Sequence, residues 1–318
     1  MRHLFIMNPY AGKYDRSQEM LEKVRFTMAG RREEWAAVRT SGPGHAAQLA
    51  EEAARQGDPL RIYACGGDGT LNEVVNGAAG HPQVAVTHCP IGSGNDFLRM
   101  FGQDAGRFRQ LDQLLDTPQT AMDLIDCNGR QSLNVCSVGF DARIGFGAAD
   151  FKKLPLVSGQ AAYQLSALRT IIRGIHLPYQ VEIDGKTMPG SRFTLLCACN
   201  GRYYGGGFNP SPDAMPDDGV LDFIVIPAVS RFTVLALIQK FAQGKIGEIP
   251  QAILRRGKVM KVWCDRPTAV NVDGERVEGE ALSIGLSDKK VQFFYPVGAS
   301  WGCAQPKESC KHPAGMVK

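Results

Sequence analysis

Short apolar runs alternate with stretches of helical spacing over the first 120 or so residues of this 318-residue chain. Residues 4–7, 35–38, 60–64 and 84–87 are brief, largely apolar and rich in strand formers, and polar or glycine-bearing turns bound them. Between them Met20, Leu21, Val24 and Met28, then Ala46, Leu49 and Ala53, then Leu71, Val74 and Val75 recur on single helix faces. This rhythm predicts an N-terminal doubly wound α/β lobe, a parallel sheet with helices on its faces. After about Ala121 the pattern changes. Residues 124–126, a turn at Asn128-Gly129 and residues 133–137 predict a hairpin. Further strands are expected at 179–183, 193–199, 221–226, 259–264, 269–272 and 291–295, with two helical inserts. The fold class is therefore α/β plus all-β, the second lobe sandwich- or barrel-like. The expected bounds are 1–121, 122–298 and a tail at 299–318, with the active site in the cleft between the lobes.

Composition narrows the classes. Hydrophobic residues make up 44% of the chain, enough to build sizeable cores. A net charge of +4 and the lack of any RNA-binding or helix-turn-helix signature argue against nucleic acid as a partner. The apolar run at the start is too short for a signal peptide, and no segment is long enough to span a bilayer. A soluble, cytoplasmic protein is expected. The nine cysteines lack zinc-type spacing. Cys65, Cys89, Cys136, Cys197, Cys199 and Cys264 fall in or beside strands, where a thiol serves as a small apolar side chain, and Cys303 and Cys310 lie in the polar tail.

Three glycine-bearing turns follow predicted strands. The most informative is Gly66-Gly67-Asp68-Gly69-Thr70, which opens the helix bearing Leu71, Val74 and Val75. Glycines let backbone N–H groups approach a ligand closely, and a turn opening a helix is a natural phosphate seat. Asp68 would repel phosphate there unless it served a metal or a polar network. The motif is neither a Walker A loop nor the spaced-glycine dinucleotide fingerprint, and alone it equally suits a tight strand-to-helix connection. Asn8-Pro9-Tyr10-Ala11-Gly12-Lys13 and Pro90-Ile91-Gly92-Ser93-Gly94-Asn95-Asp96-Phe97 are the other two turns. Open α/β sheets bind ligands at the C-terminal ends of their strands, so the three point to one crevice.

This ordered set resembles the diacylglycerol kinase catalytic family, which includes sphingosine and ceramide kinases and bacterial soluble lipid kinases. Gly139-Phe140-Asp141-Ala142, Gly205-Gly206-Gly207, Pro212-Asp213-Ala214, Asp217-Asp218-Gly219-Val220-Leu221-Asp222 and Asp273-Gly274-Glu275 continue the likeness in order, from about Leu4 to Pro296. NAD kinases carry a similar first glycine turn, but not the second-half signatures. The resemblance implies transfer of the γ-phosphoryl of ATP, with magnesium, to diacylglycerol presented at a membrane surface. Sphingosine, ceramide or another lipid alcohol is the alternative acceptor, and a non-catalytic nucleotide- or membrane-binding protein is the alternative from another class. It implies nucleotide contacts from Asn8, Pro9, Gly12, Thr40, Gly66, Gly67, Asp68, Gly69, Thr70, Asn72 and Ser93, the last a serine where the family usually has threonine.

The same resemblance gives Asp218 a carboxylate role at a structural magnesium, with the Met215 and Val220 carbonyls. Acidic turns are also often merely solvated. It gives Asp273 the role of general base, with Glu275 as a supporting or alternative carboxylate, although Asp-Gly is equally an ordinary hairpin turn. Asn95 and Asp96 suit either a helix cap or a ligand contact. Peripheral contact with the inner membrane face and a homodimer are further expectations. Phe151-Lys152-Lys153-Leu154, the stretch from Arg169 to Arg173 and the helix bearing Leu235, Ile238 and Phe241 mix cations with apolar residues as membrane-resting segments do. Leu235, Ile238 and Phe241 themselves read as core.

Overall fold

A computed structural model describes residues 1–92, 94–152, 166, 169–170 and 174–301. Ser93, Lys153, Leu154, residues 171–173, Cys303 and Cys310, and the side chains of Phe151, Lys152 and Leu235, lie outside the described residues. The first lobe runs β1 (Arg2–Met7), α1 (Ser17–Met28), β2 (Glu34–Arg39), α2 (His45–Ala54), β3 (Leu60–Gly66), α3 (Asp68–Ala78) and β4 (Val84–Pro90). A 3-10 segment, Phe97–Arg109, and the strand β5 (Gln119–Met122) follow. β3 and β4 are buried at every position, as strands covered on both faces must be, which is why they read as unbroken apolar runs. β2, β1, β3 and β4 pair in parallel, in that order across the sheet.

The second lobe contains β6 (Ile125–Cys127), β7 (Arg130–Ser132), β8 (Val135–Gly139), α4 (Phe140–Lys152), β9 (Leu177–Ile183), β10 (Lys186–Thr187) and β11 (Arg192–Cys199). It continues with β12 (Leu221–Pro227), α5 (Arg231–Ala242), β13 (Ile253–Gly257), β14 (Val259–Val272) and β15 (Glu275–Leu286). Their ten strands form one antiparallel sheet, and β14 pairs with β15, β8 and β9, curling it into a barrel-like arrangement. β14 can serve three neighbours because its pairing with β15 is irregular between Trp263 and Thr268, where the strand bends.

The structure departs from several expectations. β16 (Val291–Phe294), expected in the second lobe, pairs parallel with β4 and antiparallel with β5. Phe293, Phe294 and Trp301 accordingly join the first-lobe core beside Phe97, Phe101 and Phe108, because an aromatic run needs a large apolar seat. The first hairpin pairs β6 with β7, not with residues 133–137. Asn128 and Gly129 have φ of 49° and 92°, the left-handed pair of a two-residue turn, which forces the return strand to start at Arg130. β15 was not foreseen at all: its solvent-facing charges interrupt the apolar pattern. Expected strands 259–264 and 269–272 are one continuous β14.

Among the described residues no helix is long and apolar enough to cross a membrane. Two histidines are sunk in the first lobe. His3 Nδ1 lies 2.9 Å from the Tyr63 hydroxyl, and His88 Nε2 lies 3.2 Å from the Gly66 carbonyl oxygen. Burial lowers both to a pKa of about 4, Arg61 adding to the effect at His3.

Candidate active site

The three glycine turns interlock. Asn8 N–H donates to the Cys65 carbonyl at 2.9 Å, and the Asn8 side-chain amide donates to Thr70 Oγ1 at 2.9 Å, tying the first turn to the second. Ile91 N–H and Gly92 N–H donate to the Gly66 carbonyl at 2.9 and 3.1 Å, tying the second to the third. Gly12 closes the ring: its φ is +89°, and a Cβ there would sit 3.0 Å from the Ile91 carbonyl oxygen. At Gly66 a Cβ would come within 2.1 Å of Thr70 Oγ1, and at Gly94 within 2.4 Å of Asp68 Oδ2. No other residue type fits these contacts without displacement.

A cavity of about 500 Å³ opens above this floor, lined among others by Asn8, Gly12, Thr40, Gly67, Asp68, Gly69, Thr70 and Glu275. The first-turn N–H groups of α3 have no intrahelical partner and carry the positive end of the helix dipole. Seven of the expected nucleotide contacts are thus brought to one cavity. Gly66 lies under its floor, and Pro9 shapes the first turn without lining the cavity. Asn72 lines the next chamber, its amide donating to Asp273 Oδ2 and to the Gln131 carbonyl, each at 3.3 Å. On α3 it sits one turn beyond Asp68 and faces the second lobe, so helix geometry carries it away from the phosphate turn. His45 Nδ1 accepts from Ser41 N–H at 2.9 Å and fixes local loop geometry.

The second chamber, about 340 Å³, lies in the cleft and is lined by Asp68, Asp96, Asn134, Tyr204, Asn271 and Asp273 with their neighbours. Asp68 lines both chambers. Its Oδ1 accepts from Asp96 N–H at 2.6 Å, while burial raises its pKa against that hydrogen bond. Asp96 does not cap the following helix. Its Oδ2 accepts from Gly206 N–H at 2.7 Å across the cleft and its Oδ1 from Arg99 Nε at 2.9 Å. Burial raises its pKa, and the Asp68 charge raises it further. The glycine run bearing Gly205, Gly206 and Gly207, all with positive φ, brings its backbone to that carboxylate.

Asp273 occupies the turn between β14 and β15 with φ 49°, followed by Gly274 at 94°. Its Oδ2 accepts from Leu133 N–H at 2.8 Å and Asn134 N–H at 3.1 Å, and its Oδ1 from Val135 N–H at 2.8 Å. Burial raises its pKa, and these N–H bonds oppose the rise. The carboxylate is fixed in place and more basic than a solvated one. Glu275, two residues on, is exposed and lines the nucleotide-side cavity instead. The two candidate bases therefore face different chambers.

A third cavity, about 280 Å³, runs on from the second and shares Gly145, Tyr204, Gly205 and Asn271 with it. Phe140, Ile144, Leu195, Phe208, Ile226 and Phe241 give it an apolar wall. Phe241 is buried as expected, and Ile238 packs partly buried beside it, but both also line this cavity.

The residues expected to hold magnesium lie on and beside the turn before β12. Asp218 is bonded through Oδ2 to Arg256 Nη2, and its Oδ1 accepts from Val220 N–H at 3.2 Å. Met215 packs against the first-lobe core, its sulfur 3.3 Å from Arg202 Nη2. Among the described residues no three or more His, Cys, Asp or Glu side chains converge as a metal cage. Asp68 and Asp96 both line the second chamber. Tyr204 and Asn134 were not singled out by sequence, and Asp96 only as a cap or ligand contact, since each acts through a partner in the other lobe or a distant loop.

Comparison with known proteins agrees with this two-lobed kinase geometry. Residues 2–127 match the diacylglycerol kinase catalytic domain, and residues 134–287 match the YegS C-terminal NAD kinase beta sandwich-like domain. A Pseudomonas aeruginosa protein named "Probable lipid kinase YegS-like" is 31% identical over 292 residues, covering 90% of this chain and 94% of that protein. One of the same name from Pseudomonas savastanoi pv. phaseolicola is 31% identical over 285 residues, covering 88% and 90%. The fold matches the crystal structure of a diacylglycerol kinase from Bacillus anthracis with a TM-score of 0.68 at 21% identity, over 94% of this chain and 98% of that one. The chain belongs to the YegS-like lipid kinases of the diacylglycerol kinase catalytic family.

Proposed function

We propose that this protein transfers the γ-phosphoryl of ATP to the free hydroxyl of diacylglycerol, giving phosphatidic acid and ADP at a membrane surface. One observation carries the reading: three chambers stand in series. A glycine-floored anion site leads through Asp68 into a carboxylate chamber, which leads past Tyr204 into an apolar cavity. A donor that is polar, a transfer step that needs a base, and an acceptor with an apolar tail require that order.

In this reading the N–H groups of the α3 start and of the first and third turns hold the phosphates. Magnesium entering with the nucleotide spreads the charge of the transferring group when bound. The acceptor oxygen attacks the γ-phosphorus, the bond to the β-phosphate oxygen breaks, and the acceptor proton passes to Asp273. The raised pKa of Asp273 suits a proton acceptor, and the fixed carboxylate needs no reorganisation to serve. Glu275, on the nucleotide side, supports the donor end. The apolar cavity receives part of an acyl chain, so the hydroxyl is presented at the mouth where Asn271 and Tyr204 stand.

The test is direct. Purified protein is incubated with labelled ATP, magnesium and a panel of diacylglycerol, sphingosine, ceramide and phosphatidylglycerol in mixed micelles, and the labelled product is identified. Labelled phosphatidic acid as the main product is expected. A main product from another lipid would move the acceptor while keeping the kinase, and label on water alone would overturn the reading.

A further inference from the structure

One face of α3 runs from the nucleotide side to the second lobe. Asp68, Asn72 and Asn76 recur on it at four-residue spacing, so they stack one turn apart over roughly 12 Å of helix. Asp68 stands at the phosphate end, and Asn72 donates to Asp273. Asn76 lines neither chamber. Its amide nitrogen donates to the Gln131 carbonyl at 2.9 Å, and its amide oxygen accepts from Gln131 N–H at 3.0 Å. Among the described strands β7 pairs with β6 alone, so Gln131 presents an open sheet edge to α3. The Asn76 amide takes the place of a neighbouring strand there, matching both backbone groups of a buried residue.

We propose that Asn76 is a positioning residue for the transfer step, holding Asp273 at a fixed reach from the phosphate seat. The inference rests on the reading of Asp273 as the proton acceptor. Two residues beyond Gln131 begin the three N–H groups, of Leu133, Asn134 and Val135, that hold the Asp273 carboxylate. Asp273 N–H returns a bond to the Val135 carbonyl at 3.2 Å, so the turn and this segment move together. Contact thus passes from α3 through Gln131 to the carboxylate. Both ends of the reaction are referred to one helix, the phosphates to its first turn and the base to its third. Removing the Asn76 amide leaves Gln131 N–H without this partner and its carbonyl with only the longer bond from Asn72 at 3.3 Å. A buried backbone group left so relaxes towards another partner, and the cradle two residues on shifts with it. A misplacement of about 1 Å at the reacting groups can cost about 10²-fold in rate. The cradle N–H groups also hold the Asp273 pKa down against burial, so loosening them raises it.

The test compares full-length wild type, Asn76→Ala and Asp273→Asn in mixed micelles of diacylglycerol, or of whichever lipid the panel labels. In Asn76→Ala kcat is expected to fall by about 10–100-fold with KM for ATP unchanged, and its acid limb to move to higher pH. Hydrogen exchange followed by mass spectrometry, without nucleotide, gives a readout independent of turnover. The amides of residues 131–135 should exchange faster in Asn76→Ala while those of β3 do not. A merely structural asparagine would lower the melting temperature and speed exchange throughout the first lobe, leaving kcat and the acid limb in place, and that result would overturn the proposal. So would amides at 131–135 as protected as in wild type. Normal turnover in Asp273→Asn would remove the proton acceptor, and this inference with it, even where exchange at 131–135 quickens. If Asn76→Ala does not fold, Asn76→Asp, which keeps the acceptor for Gln131 N–H and loses the donor, is read by the same split. A lower kcat with a shifted limb then sustains the proposal, and wild-type values overturn it.

Discussion

Two Asp-Gly turns of the second lobe look alike in sequence and do opposite things in the fold. Asp273-Gly274 lies at the cleft with its carboxylate turned inward, held by backbone N–H groups of Leu133, Asn134 and Val135. Asp218-Gly219 lies at the surface, its carboxylate bonded to the half-exposed guanidinium of Arg256. Burial leaves Asp273 more basic than a solvated carboxylate despite its N–H donors, fit to take a proton. A charged partner in solvent leaves Asp218 in an exposed ion pair of small net worth. What distinguishes the two is the partner supplied from elsewhere in the chain.

The largest expected effect follows from removing the proton acceptor. Asp273→Asn should lower kcat by about 10²–10⁴-fold while ATP still binds, as calorimetry would show, because the nucleotide contacts come from the other lobe. Asp218→Asn in the same assay should leave kcat near wild type. Equal losses in both would erase the contrast. The pH profile sharpens it: Asp273 must be deprotonated to act, so wild-type kcat should rise with pH through a value above the ordinary carboxylate range and fall in acid. An acid limb at the ordinary aspartate pKa would contradict Asp273 as the base.

Next in size is the phosphate floor. Gly66→Ala places a methyl 2.1 Å from Thr70 Oγ1, so Thr70 must move and its bond from Asn8 must break. Overpacking of this kind costs about 1–3 kcal/mol, to be read by denaturant unfolding, and ATP affinity should fall with it. Asn72→Ala comes third. It removes a donor to the Asp273 carboxylate, so the acid limb of kcat should move to higher pH, with a modest loss of turnover. An unchanged limb would show that Asn72 only joins the lobes.

The effect with least bearing on turnover belongs to the first-lobe core. His3 and His88 bind their proton at a pKa of about 4 when folded, against 6.5 for the free side chain. Between those values the unfolded chain takes up more protons, so stability should rise with pH across this window and be lost as pH falls from about 6.5 to 4. Each histidine contributes on the order of 1–3 kcal/mol to that slope, and His3→Gln should flatten it when unfolding is followed against pH.

The glycine turns were legible in the sequence because each glycine answers a local need, at Gly66 a clash four residues away and at Gly12 a positive φ. Strand and helix in the first lobe were legible for the same reason, since burial on both faces leaves an apolar run. The return of β16 to the first sheet was hidden, because its short aromatic run suits either lobe. The family resemblance implied a nucleotide contact at Asn72, and nothing local in the sequence signals its hydrogen-bond partners, 59 and 201 residues away. Arg256 carried no signal on its own: only the β12–β13 register sets it against Asp222, and hence beside Asp218.

The central claim is that the acceptor lipid lies in the apolar cavity with its hydroxyl beside Asp273. A diacylglycerol carrying a photoreactive diazirine near the end of one acyl chain, irradiated in the complex with a non-hydrolysable ATP analogue, tests this most directly. Adducts mapped by mass spectrometry should fall on the cavity wall, at Phe140, Ile144, Leu195, Ile226 or Phe241, and should disappear with excess unlabelled lipid. Competed adducts confined to outward-facing side chains such as Phe26 or Phe232, with none on the cavity wall, would contradict the account.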